Sequence, residues 1–305
     1  MRNTRWFATV LPALTGAVIL SVGMACAAAE GPLQDRGKYL VTTILACGNC
    51  HTPKDTDGRA VPHKELAGGG TGFDTPPFTG VAANITPDVE TGIGAWSDGE
   101  IKRAITHGDR PDHGPLAGKP LAPQMAANFF KAILPSDLDA IVAYLRSVPP
   151  VRNVLPTPIY RGVVLREAFE QADSGFTETD LQDKVRRGAY LTTIGHCLEC
   201  HTPVVNGTPL FKTSLGAGGR PFLPVFIKGL PDNWKGSVSR NLTSHPDAGL
   251  GSWSDAEIKR AITQGVGRDG RHMQEPMAFA WYAGIGDEDL DAIVAYLRTL
   301  PPLGR

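Results

Sequence analysis

Two copies of Cys-x-x-Cys-His stand in this chain: Cys47-Gly48-Asn49-Cys50-His51 and Cys197-Leu198-Glu199-Cys200-His201. Thiols at that spacing add across the vinyl groups of a haem as thioethers, and the adjoining imidazole becomes the proximal ligand of the iron. With 5 Cys and 8 His in 305 residues, a random chain holds one such copy in roughly two cases per thousand. A thioredoxin-like pair has no need of the trailing His, and a zinc ribbon would spend all four thiols on one metal. The pattern predicts two covalently bound haem c groups, on Cys47 and Cys50 and on Cys197 and Cys200. His51 and His201 are the expected iron ligands.

The group on the opposite face of each iron separates a carrier from a catalyst. A methionine there raises the reduction potential and closes the iron to substrate. Beyond the N-terminal segment the methionines are Met125, Met273 and Met277. Met125 lies 12 residues before Asp137, and Met277 lies 12 residues before Asp289, at the start of identical segments. Buried methionine is usually core filler, but the recurrence at one register position makes Met125 and Met277 the expected distal ligands. Met273 and His272 compete with Met277. His63 and His113 are rivals in the first half, each without a His at the matching place in the second.

The elements that must hold these residues also come twice. Arg36-Gly37-Lys38-Tyr39-Leu40 recurs as Arg187-Gly188-Ala189-Tyr190-Leu191, and Thr42-Thr43-Ile44 as Thr192-Thr193-Ile194. Leu66 to Gly70 pairs with Leu215 to Gly219, and Asn84-Ile85-Thr86 with Asn241-Leu242-Thr243. The segment Asp137 to Arg146 recurs letter for letter as Asp289 to Arg298. Leu138, Ile141, Val142 and Leu145 form one apolar stripe of a helix, with Ser136 as N-cap and Pro149-Pro150 as stop. Helices are expected over about 34–45 and 180–194, leading into each Cys-x-x-Cys-His, and over 97–106 and its copy, with Ser97 or Asp98 as cap. No long alternating run predicts a strand. The fold class expected is mainly α, two tandem domains at 30–149 and 180–305, each wrapped round one haem, with a linker at 150–179.

Residues 1–29 have the form of an export signal: Arg2 and Arg5, an apolar run from Trp6 to Met24, then alanines. Cleavage after Ala27 or Ala29 would discard Cys26. The alternatives are lipidation at Cys26 and an uncleaved N-terminal anchor. The expected location is the periplasm, soluble or attached to the inner membrane. A net charge of −1 carries no basic stripe and speaks against a nucleic-acid partner.

These features together resemble the class I cytochromes c. More closely, Leu-Ala-Gly-Gly, Asn84-Ile-Thr-Pro-Asp88, Thr91 to Asp98 and the repeated Asp137 to Arg146 segment resemble the cytochrome subunits of periplasmic alcohol, gluconate and aldehyde dehydrogenases. Those subunits usually carry three haems, and often have Pro after the ligand Met, where Ala126 and Ala278 stand here. The resemblance implies Asn84 and Asn241 as candidate contacts to haem propionates and Trp96 and Trp253 beside the haem edge. It also implies electron transfer from a dehydrogenase to a second cytochrome or terminal oxidase, without catalysis by this chain. Membrane contact would come through a partner or the N-terminal anchor. A dihaem peroxidase is the alternative, requiring a displaceable distal ligand. A thiosulfate-oxidising enzyme with a Cys on iron would need a spare thiol.

Overall fold

Glycine allows two close helix contacts in this protein. A Cβ built on Gly37 would lie 1.9 Å from the carbonyl oxygen of Ala140, and one on Gly188 would lie 1.9 Å from that of Ala292. Each glycine sits on the helix leading to a Cys-x-x-Cys-His, and each carbonyl on the helix that closes the same half. These two crossings set the frame for the sites.

The computed structural model describes Met1 and residues 31–304. The expected export signal and Cys26 lie outside the described residues. The first half contains α1 (Pro32–Tyr39), α2 (Cys47–His51), α3 (Asp98–His107), α4 (Ala127–Phe130) and α5 (Pro135–Ser147). After α6 (Glu170–Ser174), the second half contains α7 (Lys184–Ile194), α8 (Cys197–Cys200), α9 (Asp255–Gln264), α10 (Phe279–Tyr282) and α11 (Asp287–Leu297). Helix α1 continues as a π-helical turn over Leu40–Ile44, within the 34–45 span expected to be helical. Asp183 caps α7 through the Arg186 amide.

Apolar faces meet at the crossings. Leu40, Val41 and Ile44 are buried with Ile141, Val142 and Leu145, and Leu191 and Ile194 with Ile293, Val294 and Leu297. Ser97 and Ser254 each make a reciprocal capping box with Glu100 and Glu257, satisfying amides that the first turn leaves open. Ser136 is not a cap: Pro135 begins α5, and the Ser136 hydroxyl donates to Glu178. Proline at the first helical position has preset φ and no amide to satisfy, so the helix starts two residues earlier, with Leu134 at the N-cap position.

The invariant arginine of the repeated segment ties each closing helix to a capping box. Arg146 donates to the carbonyls of Ile93 and Trp96 and pairs with Asp98. Arg298 does the same with Leu250, Trp253 and Asp255.

Strands are short. Gly72–Thr75 forms an antiparallel hairpin with Phe78–Val81, pairing Gly72 with Val81 and Thr75 with Phe78. Ile159–Tyr160 adds to one edge of this hairpin and Ile227–Lys228, from the second half, to the other. The 150–179 segment packs on the first half. Asn153 donates to Ala67, Tyr160 donates to the Pro120 carbonyl, and Phe169 is buried against Phe129.

Candidate haem sites

Each Cys-x-x-Cys-His begins directly after a residue in the left-handed region, Ala46 at φ 45° and His196 at φ 42°. That turn breaks the incoming helix and starts the short motif helices α2 and α8. Cys47, Cys50, Cys197 and Cys200 are half-buried free thiols. Loss of water around the thiolate pushes Cys47 and Cys197 up to about 12 and raises Cys50.

The imidazoles are fixed in one tautomer by backbone. His51 Nδ1 lies 2.7 Å from the Ala83 carbonyl oxygen, and His201 Nδ1 lies 2.7 Å from that of Arg240. A carbonyl only accepts, so Nδ1 carries the proton and Nε2 keeps its lone pair. This is the standard way of orienting a metal-binding histidine. Burial lowers the pKa of both rings, which favours the neutral form that ligates.

The residue after each His completes the support. Buried Thr52 and Thr202 accept through Oγ1 from the amides of Leu66 and Gly216, at 3.0 and 3.1 Å. The amides of Gly68 and Gly218 then donate to the carbonyls of His51 and His201. These bonds place Gly216 opposite Leu66, so the pairing of Leu66 with Leu215 slips by one. The position needs positive φ, 62° at Leu66 and 75° at Gly216, which is where glycine carries no steric penalty.

Met125 and Met277 each stand two residues before the start of α4 and α10, with Ala126 and Ala278 between as N-caps. The amides of Ala127 and Phe279 donate to their carbonyls at 2.7 and 3.0 Å. Arg166 clamps the first loop by donating to the carbonyls of Leu121, Ala122 and Met125. Trp234 and Ser237 hold the second through the Glu275 carbonyl. Neither clamp has a partner in the repeat pattern, so sequence comparison of the halves passes over both. Met273 does have a structural counterpart: its amide donates to Gly265 at 2.7 Å as the Leu121 amide does to Gly108. His113 contacts Glu100 at the surface, and His63 and His272 are exposed.

Asn84 is buried with its amide fully engaged. Nδ2 donates to Thr91 Oγ1 and to the Val151 carbonyl, while Oδ1 accepts from the amide and hydroxyl of Thr86. Asn241 Nδ2 donates to the Leu303 carbonyl and Oδ1 accepts from the Thr243 amide. Both side chains therefore tie the loop after the His-binding carbonyl to the segment that follows the closing helix.

In the second half, Arg240, Trp253, Arg268, Arg271, His272 and Met273 line a cleft of about 600 Å³. A cleft of this size suits a cofactor. It adjoins the residue whose carbonyl orients His201. Two thiols, a neutral imidazole and an adjoining cleft fit a covalently attached haem.

Residues 185–301 match the family model for cytochrome c. The chain carries a cytochrome c domain. It is 32% identical over 289 residues to the cytochrome c subunit of a quinone alcohol dehydrogenase of Gluconacetobacter polyoxogenes, covering 90% of this chain and 57% of that protein. It is 29% identical over 291 residues to the gluconate 2-dehydrogenase cytochrome c subunit of Pantoea cypripedii, covering 89% of this chain and 60% of the relative. A dihaem c-type cytochrome of Cereibacter sphaeroides is 28% identical over 273 residues, with 84% and 82% covered. The chain thus spans 57% and 60% of the length of the two dehydrogenase subunits. Among the described residues no helix is long and apolar enough to cross a membrane.

Proposed function

We propose that this protein is an exported dihaem cytochrome c that passes electrons from a periplasmic dehydrogenase to a second cytochrome or a terminal oxidase. The observation that carries the reading is the identical fixation of His51 and His201, each by a 2.7 Å bond from Nδ1 to a backbone carbonyl. Both motifs are prepared in the same way for the same metal. The halves are mainly helical cytochrome c-like domains, over about 30–149 and 180–305, joined through 150–179. The similarity to cytochrome subunits of alcohol and gluconate dehydrogenases supports a dehydrogenase as donor.

Haem c supplies reversible one-electron chemistry at iron. The chain's contribution is positional. Cys47, Cys50, Cys197 and Cys200 would anchor the two groups, and His51 and His201 would offer Nε2 to the iron. Met125 and Met277 would supply the second protein ligand of each iron, on loops held by Arg166 and Trp234. Export through residues 1–29 brings the chain to the compartment of its partners, soluble or held at the inner membrane.

Near-infrared magnetic circular dichroism of the oxidised holoprotein tests this reading. The expected result is two His/Met signatures at a stoichiometry of two haems per chain. One five-coordinate iron would overturn it and direct attention to peroxide as substrate.

A further inference from the structure

The two Cys-x-x-Cys-His motifs are neighbours, and an aromatic turn of the second half is packed against the first. The Asn49 amide, inside the first motif, donates to the Pro276 carbonyl beside Met277 at 3.3 Å. A Cβ on Gly195, two residues before Cys197, would lie 3.2 Å from the Ile44 carbonyl oxygen. Cys50 and Cys200 are close enough for the charge of one to act on the other.

Helix α10 brings two rings to this junction. The Trp281 ring lies against Gly48, so close that a Cβ there would meet its Cη2 at 2.0 Å and Cζ2 at 2.5 Å. Glycine between Cys47 and Cys50 is what admits the indole; the second motif has buried Leu198 at the same place. The Tyr282 phenol lies within electrostatic reach of Cys197, Cys200 and Cys50, sulfurs of both motifs. The corresponding turn of the first half is used differently. Phe129 packs with Phe169 and Phe211 at centroid distances of 4.4 and 5.7 Å, and Phe130 meets His196 edge-on at 5.7 Å. The two oxidisable rings are on one side only.

We propose that Trp281 and Tyr282 form the electron path between the two haem sites. The inference rests on the dihaem reading above. Tunnelling weakens steeply across gaps in packing. A closed-shell ring filling the space between the two attachment motifs therefore couples them better than a void or water. One electron leaves one iron and arrives at the other; the rings gain and lose none, and no bond or proton moves. Trp281 supplies the contact with the first motif, at Gly48, and the neighbouring Tyr282 lies within electrostatic reach of Cys197 and Cys200.

The test uses the holoprotein with both haems, after haem stoichiometry has been measured on the unsubstituted chain. Trp281→Leu and Tyr282→Leu are compared with Trp281→Phe. Exchange NMR of the half-reduced protein gives the concentration-independent rate between haems, and the same spectra give the haem methyl shifts. The leucine variants should slow exchange several-fold at unchanged midpoint potentials, and Trp281→Phe should recover most of the rate. Trp281→Leu should also move methyl resonances of both haems. Where Trp281→Leu fails to load haem, Tyr282→Leu carries the test. Wild-type rates in the leucine variants, or shifts confined to one haem, overturn the bridge while leaving the dihaem reading intact. One haem per unsubstituted chain overturns both.

Discussion

The Tyr190 phenol donates to Asp137 Oδ2 at 2.6 Å across the boundary between the halves, and Tyr39 returns the same bond to Asp289 Oδ2 at 2.6 Å. Each carboxylate is also paired inside its own half, Asp137 with Arg36 and Asp289 with Arg187. Every helix crossing is thus pinned by the tyrosine of the other. A hydrogen bond from a buried phenol to a carboxylate contributes about 1.5–3 kcal/mol. Tyr190→Phe should lower the unfolding free energy by about 2 kcal/mol and leave one cooperative transition. Guanidinium unfolding followed through the haem absorption and by backbone circular dichroism checks this. Separate transitions for the two halves would show that the exchanged tyrosines do not couple them.

Gly37→Ala and Gly188→Ala should be damaging although each adds only one methyl group. The added methyl would sit 1.9 Å from a backbone oxygen in both cases, and backbone cannot rotate aside as a side chain can. Overpacking of a tight core contact costs about 1–3 kcal/mol, and the two variants should lose similar amounts. Melting temperatures of the two holoproteins decide it; an unchanged value for either would mean that its crossing relaxes freely.

Much of this arrangement was legible in the sequence because each half contains a copy of the other. The motif residues, the closing helix with its Leu138 stripe, and the Ser97 cap follow from local spacing and propensity. The legible part stops where residues from different copies meet. Tyr39 and Tyr190 align with one another as repeat partners, yet each bonds to the other half, a relation no periodicity encodes. Arg166 and Trp234 were invisible for a related reason: they lie outside the repeat, and their partners are backbone carbonyls, which leave no trace in residue type. Asn84 enters as a candidate propionate contact only through the resemblance to cytochrome subunits, and its hydrogen-bond partners leave no trace in spacing. In the fold its amide group bonds to Thr86, Thr91 and Val151.

Acid should weaken the capping boxes in a defined window. Bonds from Ser97 and Ser254 hold Glu100 and Glu257 below the usual carboxylate range, and bonds from Arg186 and Thr177 hold Asp180 at about 2. A depressed folded pKa gives stability that is present above the unfolded value, about 4, and lost as pH falls through the folded value. Glu257→Gln should therefore be less stable than wild type at pH 6 and converge with it toward pH 2.5. Denaturant midpoints across that range measure the difference; a constant offset at every pH would remove the charge from the explanation.

The assignment of Met277 over Met273 can be separated from haem binding itself. Met273 occupies the place of Leu121, as the matching amide bonds to Gly265 and Gly108 show, which argues that its thioether is not the ligand. Met273→Leu should leave both midpoint potentials unchanged. Met277→Leu should lower one potential and open that iron to small ligands, because losing a thioether ligand destabilises the reduced state. Met125→Leu should do the same to the other haem. Redox titration with carbon monoxide binding reads all three proteins. A fall in potential with Met273→Leu, and none with Met277→Leu, would reverse the assignment and place the distal ligand four residues earlier in the loop.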